Sequence, residues 1–237
     1  PGLRLAVADA ARGVLTPVQM HRVQDSMMSL IEDLDDHDDD LPAPAAEQDD
    51  TNALFRREAS PPPRDPPPGI APPPEERPER WRSQTPVLCI AGRGPMDEVA
   101  AAMLVQLLRK HGLGADVLPQ AVATRTGIVA LNPTGVAMIC VCSVEVRGTP
   151  SHLRFALRRL RQRAPEAMLL AGLWTPDDPV PRDDARRATL GADLCAVTLT
   201  EAVEACLAAA SGEMDDSGGA EQAPIRRAGT TVARSAS

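Results

Sequence analysis

The sequence predicts an α/β fold built on a five-stranded parallel sheet, and three observations predict it. Between residues 85 and 210, short apolar runs alternate with segments of helical periodicity, the alternation expected of a parallel sheet covered on both faces. The run "GVAMICVCSV" (135–144) is continuous and apolar, as a central strand buried on both sides should be. The stretch "VLCIAGRGPMDEVAAAMLVQLL" (87–108) passes from an apolar run through Gly92, Arg93, Gly94 and Pro95 into an apolar-periodic segment. That is the order strand, tight turn, helix.

The elements follow in sequence order. Residues 1–40 are expected to form a helical segment. The piece 3–11 is helical with Gly13 as its stop, and Thr16 followed by Pro17 starts a second helix, a capping hydroxyl before a proline at the first helical position. Val23, Met27, Leu30, Ile31 and Leu34 then recur at helical spacing. With no domain in sight to bury it, this stripe is expected to pack on upstream sequence or on another subunit. The acidic run 33–40 contains His37 but lacks the glycine turn and spaced ligands of a calcium loop, so it reads as a solvated tail. Residues 41–84, with "SPPPRDPPPGIAPPPEERPER", are too poor in apolar surface to fold and are expected to be a disordered, semi-rigid linker.

The α/β domain is assigned to 85–211. Strands are expected at 87–91, 115–118, 135–144, 167–174 and 192–198. Helices are expected at 96–111, after Thr149 and Pro150, at 183–190 and through "LTEAVEACLAAA" with Thr200 as cap, and a weak helical turn at 124–130. Five strands in this alternation suggest the flavodoxin-like order 2-1-3-4-5. The small, polar tail 212–237 is expected to be disordered.

Composition narrows the function classes. The net charge is -8, which removes nucleic acid as a general partner, because phosphate backbones need a basic surface. No run approaches the roughly 20 apolar residues of a membrane span. The five cysteines are odd in number, and Cys89, Cys140, Cys142 and Cys195 lie in strand-like runs; buried free thiols in a reducing compartment account for them. Cys140 and Cys142 share one strand face among Met138, Ile139 and Val141 and read as core.

In a doubly wound sheet a ligand binds beyond the carboxyl ends of the strands, where the strand order reverses. Three edges meet there and supply the candidate ligand-binding residues: Gly92, Arg93 and Gly94; Ser143 and Glu145; Gly172, Trp174 and Thr175. A phosphate at the first turn needs free backbone N–H groups and no competing charge. Asp97 and Glu98 occupy that helix's first turn, and the glycine spacing fits neither G-x-G-x-x-G nor G-x-x-x-x-G-K-[ST]. Ser143, Glu145 and His152 are close in sequence and invite a triad, but His152 falls in the first turn of a helix, where a charged imidazole is disfavoured. These incomplete signatures predict no catalytic residue, no metal and no cofactor. The face bearing Arg154, Arg158, Arg159, Arg161 and Arg163 reads as solvated, with docking onto the acidic run 33–40 or an anionic membrane as the functional alternative.

Two resemblances attach to these residues. The architecture, with a serine after strand three and a glycine after strand four, resembles cobalamin-binding domains. Those carry D-x-H-x-x-G after the first strand, whereas "GRGPMDE" stands here with no histidine. The runs "VLCIAGRGPMDEVAAAMLVQLLRKHGL", "GVAMICVC" and "PSHLRFALRRLRQR", preceded by "LTPVQMHRVQDSMMSLIEDLDDHDD" and a proline-rich spacer, resemble the cytosolic C-terminal extension of autoinducer-2 exporter family (PerM-like) permeases. That resemblance implies membrane helices upstream of Pro1 and a non-catalytic regulatory or interaction domain at the cytoplasmic face of the inner membrane. Its partners would be the upstream transmembrane portion of the same chain, a second copy of the chain, and a small ligand at the switch point. The alternative is a small-ligand or corrinoid-type sensor unrelated to transport.

Overall fold

The structure, a computed structural model, describes residues 2–35, 37, 69–144, 151–174 and 188–213. Five parallel strands form one sheet: β1 (Val87–Ala91), β2 (Ala115–Leu118), β3 (Met138–Ser143), β4 (Met168–Leu173) and β5 (Leu194–Ala196), in the order β2-β1-β3-β4-β5. The expected α/β class and strand order are therefore observed. The helices are α1 (Gly2–Ala11), α2 (Pro17–Asp35), α3 (Pro95–Lys110), α4 (Ser151–Arg163) and α5 (Leu199–Ala210).

Successive strand side chains point to opposite faces, and the two faces carry separate cores. Cys89, Met138, Cys140, Cys142 and Leu170 join one core with α3 and α5. Leu88, Ile90, Ile139, Val141, Leu169 and Leu173 join the other with Leu153, Leu157 and Leu160 of α4. In place of a helical stretch at 124–130 the chain makes two 3-10 turns, Gln120–Ala123 and Gly127–Ala130; the Thr124 hydroxyl accepts from Gly127 N between them and interrupts any longer helix. The last helix is capped by Thr198, whose hydroxyl accepts from Glu201 N at 3.1 Å, so Thr200 lies two positions too late for the cap assigned to it. The sequence offers both threonines, and only backbone geometry distinguishes them.

Three expectations about organisation are corrected. The first concerns the N-terminal stripe. Thr16 and Gln19 form a reciprocal capping box at the start of α2, as Thr16 and Pro17 imply. The stripe, however, packs on this chain's own α3: Met20 is buried, and Val23, Met27 and Ile31 lie against the same core as α3. Gln106 Nε2 donates to Ile31 O at 2.6 Å, and Gln24 Nε2 to the Glu98 carboxylate at 2.7 Å. The reason lies in α3, which buries ten of its 16 residues. A helix apolar on so many sides needs cover on both; the sheet supplies one and α2 the other. Leu30 and Leu34, from the same stripe, stay exposed.

The second concerns the linker assigned to 41–84. Residues 69–84 are an ordered strap over the domain. Trp81 is fully buried and Ala71 nearly so. Ala71 N donates to His111 O, and the Arg77 guanidinium donates to Pro72 O at 2.6 Å and Gly112 O at 2.8 Å. Desolvation lowers the Arg77 pKa from its ordinary value, with Glu75 opposing the shift. One tryptophan and one arginine fix a segment whose average composition argues for disorder. Residues 41–68 and 214–237 lie outside the described residues.

The third concerns the arginines of α4. That helix lies on the opposite face of the sheet from α2 and α3, so it does not meet the start of the acidic run. Instead Lys110, at the end of α3, donates to His37 O. Arg161 ties α4 to Ala167 O and to Asp193. Asp36 and 38–40 lie outside the described residues.

Candidate functional site

The turn after β1 is built around one carboxylate. Asp97, at the third position of α3 and 4% exposed, accepts from Arg93 N at 2.6 Å and Gly94 N at 3.0 Å through Oδ2, and from Val144 N at 2.6 Å through Oδ1. Backbone N–H groups at a helix N-terminus form a natural anion nest. Here the chain fills the nest itself, joining the β1 turn to the end of β3. The expectation that an acidic residue occupies an anion's place holds for Asp97. Glu98 does not share it, since it turns to Gln24 of α2.

Gly92 is required by this arrangement. A Cβ there would stand 2.7 Å from Asp97 Oδ2 and 2.9 Å from Cys142 O. Gly94, the N-cap, has extended backbone and open space around it.

Above the turn lies a cavity of about 1060 Å³. Its floor holds Arg93, Gly94, Pro95, Met96, Asp97, Ser143 and His152. Its roof is the α1–α2 hairpin, through Val7, Ala10, Ala11, Leu15, Thr16, Met20 and His21. The structure thus brings together Arg93, Gly94 and Ser143 from the predicted residues. A smaller pocket of about 250 Å³ adjoins it on the α4 side, sharing Arg93 and His152 and adding Gly92, Gln120, Thr124, Arg125 and Arg159.

Gly172 and Trp174, of the third predicted edge, line neither cavity. The indole of Trp174 packs against Gly172, where a Cβ would stand 1.8 Å from its Cζ3. Trp174 N donates to Ser143 O, closing the edge between β3 and β4. Gly172 and Trp174 are therefore packing residues within the core of the α3 face. Glu145 and Thr175 lie outside the described residues.

Ser143 and His152 share the cavity wall, and among the described residues no hydrogen bond joins them, while both Asp97 oxygens are held by backbone N–H groups. The cavity roof and Arg125 were not indicated by the sequence, and Arg159 was indicated only as part of the basic face of α4. Their signal was slight: a lone histidine, His21, in the roof and an isolated arginine, Arg125, in the link between two turns.

The cysteines divide. Cys89, Cys140, Cys142 and Cys206 are buried, with Cys140 and Cys206 sulfurs 3.9 Å apart and Cys206 3.5 Å from the Met138 sulfur. Hydrogen bonding to the Cys140 sulfur, and burial after it, raises the Cys206 thiol well above its ordinary pKa. Among the described residues no group of three or more His, Cys, Asp or Glu has the arrangement of a metal site. Cys195, on the short edge strand β5, is exposed, against the expectation that strand cysteines are all core. Thiolate reactivity requires access and ionisation. A thiol-reactive disulfide reagent is therefore expected to label one cysteine quickly in the native chain and all five in denaturant. Rapid native labelling of two or more would contradict the buried cluster.

Comparison with protein-family models, with curated proteins and with solved structures finds no match for this chain. Among the described residues no helix is long and apolar enough to cross a membrane.

Proposed function

We propose that this chain is a non-catalytic regulatory domain that takes a small ligand between its N-terminal helical hairpin and the carboxyl edge of its sheet. Following the sequence resemblance, we place it on the cytoplasmic side of a membrane transporter. The observation that carries the ligand reading is the cavity of about 1060 Å³ with two walls from different parts of the chain. Cavities of roughly 300–1,000 Å³ hold small organic ligands. Its site is the switch point at which open α/β sheets take ligands.

Regulation follows from the roof. Helix α1 has no buried residue, so it belongs to the part of the fold that opens most readily. A ligand touching both roof and floor favours the closed arrangement by its differential affinity for the two states. In the transporter reading, closure would be felt by whatever precedes α1.

A neutral fluorescent probe, N-phenyl-1-naphthylamine, tests the ligand site without presupposing charge. It is expected to bind the chain saturably and one to one. Ala11→Trp, at an exposed rim position of the cavity, should abolish the signal with little change in melting temperature. Absence of saturable binding, or binding indifferent to the tryptophan, would remove the reading. The transporter assignment rests on the resemblance alone. It requires several long apolar helices encoded before Pro1, whereas a helix-turn-helix there would favour the sensor alternative.

A further inference from the structure

We propose that the ligand is an amphipathic phosphate monoester, its phosphoryl group held in the smaller pocket by Arg93, Arg125, Arg159 and His152 and its hydrocarbon body lying under the hairpin. The proposal rests on the larger cavity being a ligand site.

Among the described residues the smaller pocket is lined by three arginines and a histidine and by no carboxylate. The nearest acid of the turn, Asp97, lines the other cavity and has its oxygens engaged by three backbone N–H groups. The arginines come from three places: the β1 turn, the link between two 3-10 turns, and the middle of α4. They have no structural duty that explains the convergence. Among the described residues the side chains of Arg93 and Arg125 make no hydrogen bond or ion pair, and Arg159 makes only a 3.4 Å contact to Ala123 O. Cations gathered without partners repel one another. An anion in their midst turns that repulsion into attraction.

The number of donors selects the anion. Each guanidinium presents a rigid fork suited to two oxygens. A carboxylate has only two oxygens and cannot satisfy three forks. A phosphate monoester offers three terminal oxygens and up to two negative charges. The neighbouring cavity selects the rest of the molecule. Arg93 and His152 stand on the boundary between the two spaces. Beyond them the walls are largely apolar: Val7, Ala10, Leu15, Met20 and Met96. An alkyl or isoprenoid body fits such walls, and a bare phosphate would leave them unused. The small pocket, at about 250 Å³, is below the size of a whole-ligand site and suits a head group.

The test is calorimetry on the 237-residue chain in a phosphate-free buffer at low ionic strength, with octyl phosphate, 1-octanol and inorganic phosphate as probes. Octyl phosphate is expected to bind one to one, and about tenfold or more tighter than either of the others, as charge-assisted bonds imply. Arg93→Ala and Arg125→Ala should each weaken octyl phosphate by about tenfold with the melting temperature unchanged, since both side chains are exposed and unbonded, and Arg125→Ala, which lines only the smaller pocket, should leave 1-octanol binding unchanged. Equal affinity for octyl phosphate and 1-octanol, untouched by the arginine variants, would overturn the phosphoryl assignment and leave the apolar cavity standing. Binding of neither would overturn both. If octyl phosphate binds as expected, flotation with phosphatidic acid vesicles assigns the source of the ester. Arg125-dependent flotation identifies a lipid head group; its absence identifies a soluble ester, and each is the proposed chemistry.

Discussion

Asp97→Ala is expected to destabilise the domain by about 3–4 kcal/mol, seen as a fall in melting temperature on the order of 10 °C. The variant removes the acceptor for three backbone N–H groups, those of Arg93, Gly94 and Val144. Val144 is buried, so its N–H finds no water when the carboxylate goes. Each buried donor left without a partner costs about 1–3 kcal/mol, and the two N–H groups nearer the surface cost less. Asp97→Asn keeps one acceptor oxygen but turns an amide N–H₂ toward a donor, and should cost roughly half as much. A second readout separates this role from simple packing. With the carboxylate gone, the nest at the start of α3 is open to a soluble anion. Sulfate should therefore raise the melting temperature of Asp97→Ala more than that of the parent, by mass action on the native state. A variant as stable as the parent, or one indifferent to sulfate, would show that Asp97 does not close the turn.

Gly172→Ala should be of comparable severity, at about 3 kcal/mol or more. Gly172 sits inside β4, paired with Cys142 on one side and Ala196 on the other. An added Cβ would fall 1.8 Å from Trp174 Cζ3 and 1.9 Å from Cη2, well inside contact distance. Neither neighbour can yield easily. The strand is held by ladders on both sides, and Trp174 is 6% exposed, its Nε1 without a hydrogen-bond partner among the described residues. Removing the ring should relieve the clash. Gly172→Ala combined with Trp174→Leu is expected to be more stable than the sum of the two single effects, as contacting positions are not additive. Chemical denaturation of the four chains measures this coupling. Strict additivity would mean that the indole does not rest on Gly172.

The fold was legible because its signals are local. The alternation of strand and helix from β1 to α5 follows from short-range periodicity, and glycine before Pro95 marks the turn that starts α3. The switch-point rule then located Arg93, Gly94 and Ser143, since topology alone puts those positions at the carboxyl edge. The tighter assignments failed where two chemically similar residues compete. Thr198 and Thr200 are equivalent as letters, and only the hydrogen bond to Glu201 N selects the first. Gly172 and Trp174 lie at the correct edge, but one covers the other, a relation between side-chain volume and backbone that spacing does not encode.

Composition misled in the strap. Between residues 41 and 84 proline dominates, and averaging hides Trp81, the residue that anchors 69–84. The N-terminal stripe misled in a different way. Its hydrophobicity was read correctly, and its partner was not, because α3 had to be seen as buried on more than its sheet-facing side before it could receive α2.

By itself the sequence determined the class of fold, the strand order, the glycine turn and the acid that fills it. These depend on near neighbours along the chain, whose geometry backbone sterics and periodicity fix. Only the tertiary structure decided that the hairpin roofs the cavity and that Arg93, Arg125 and Arg159 converge beside it. Those residues are separated by tens of positions, and which side chains meet at the carboxyl edge is set by how the hairpin, the 3-10 turns and α4 pack over the whole core, on which no short stretch of sequence carries information.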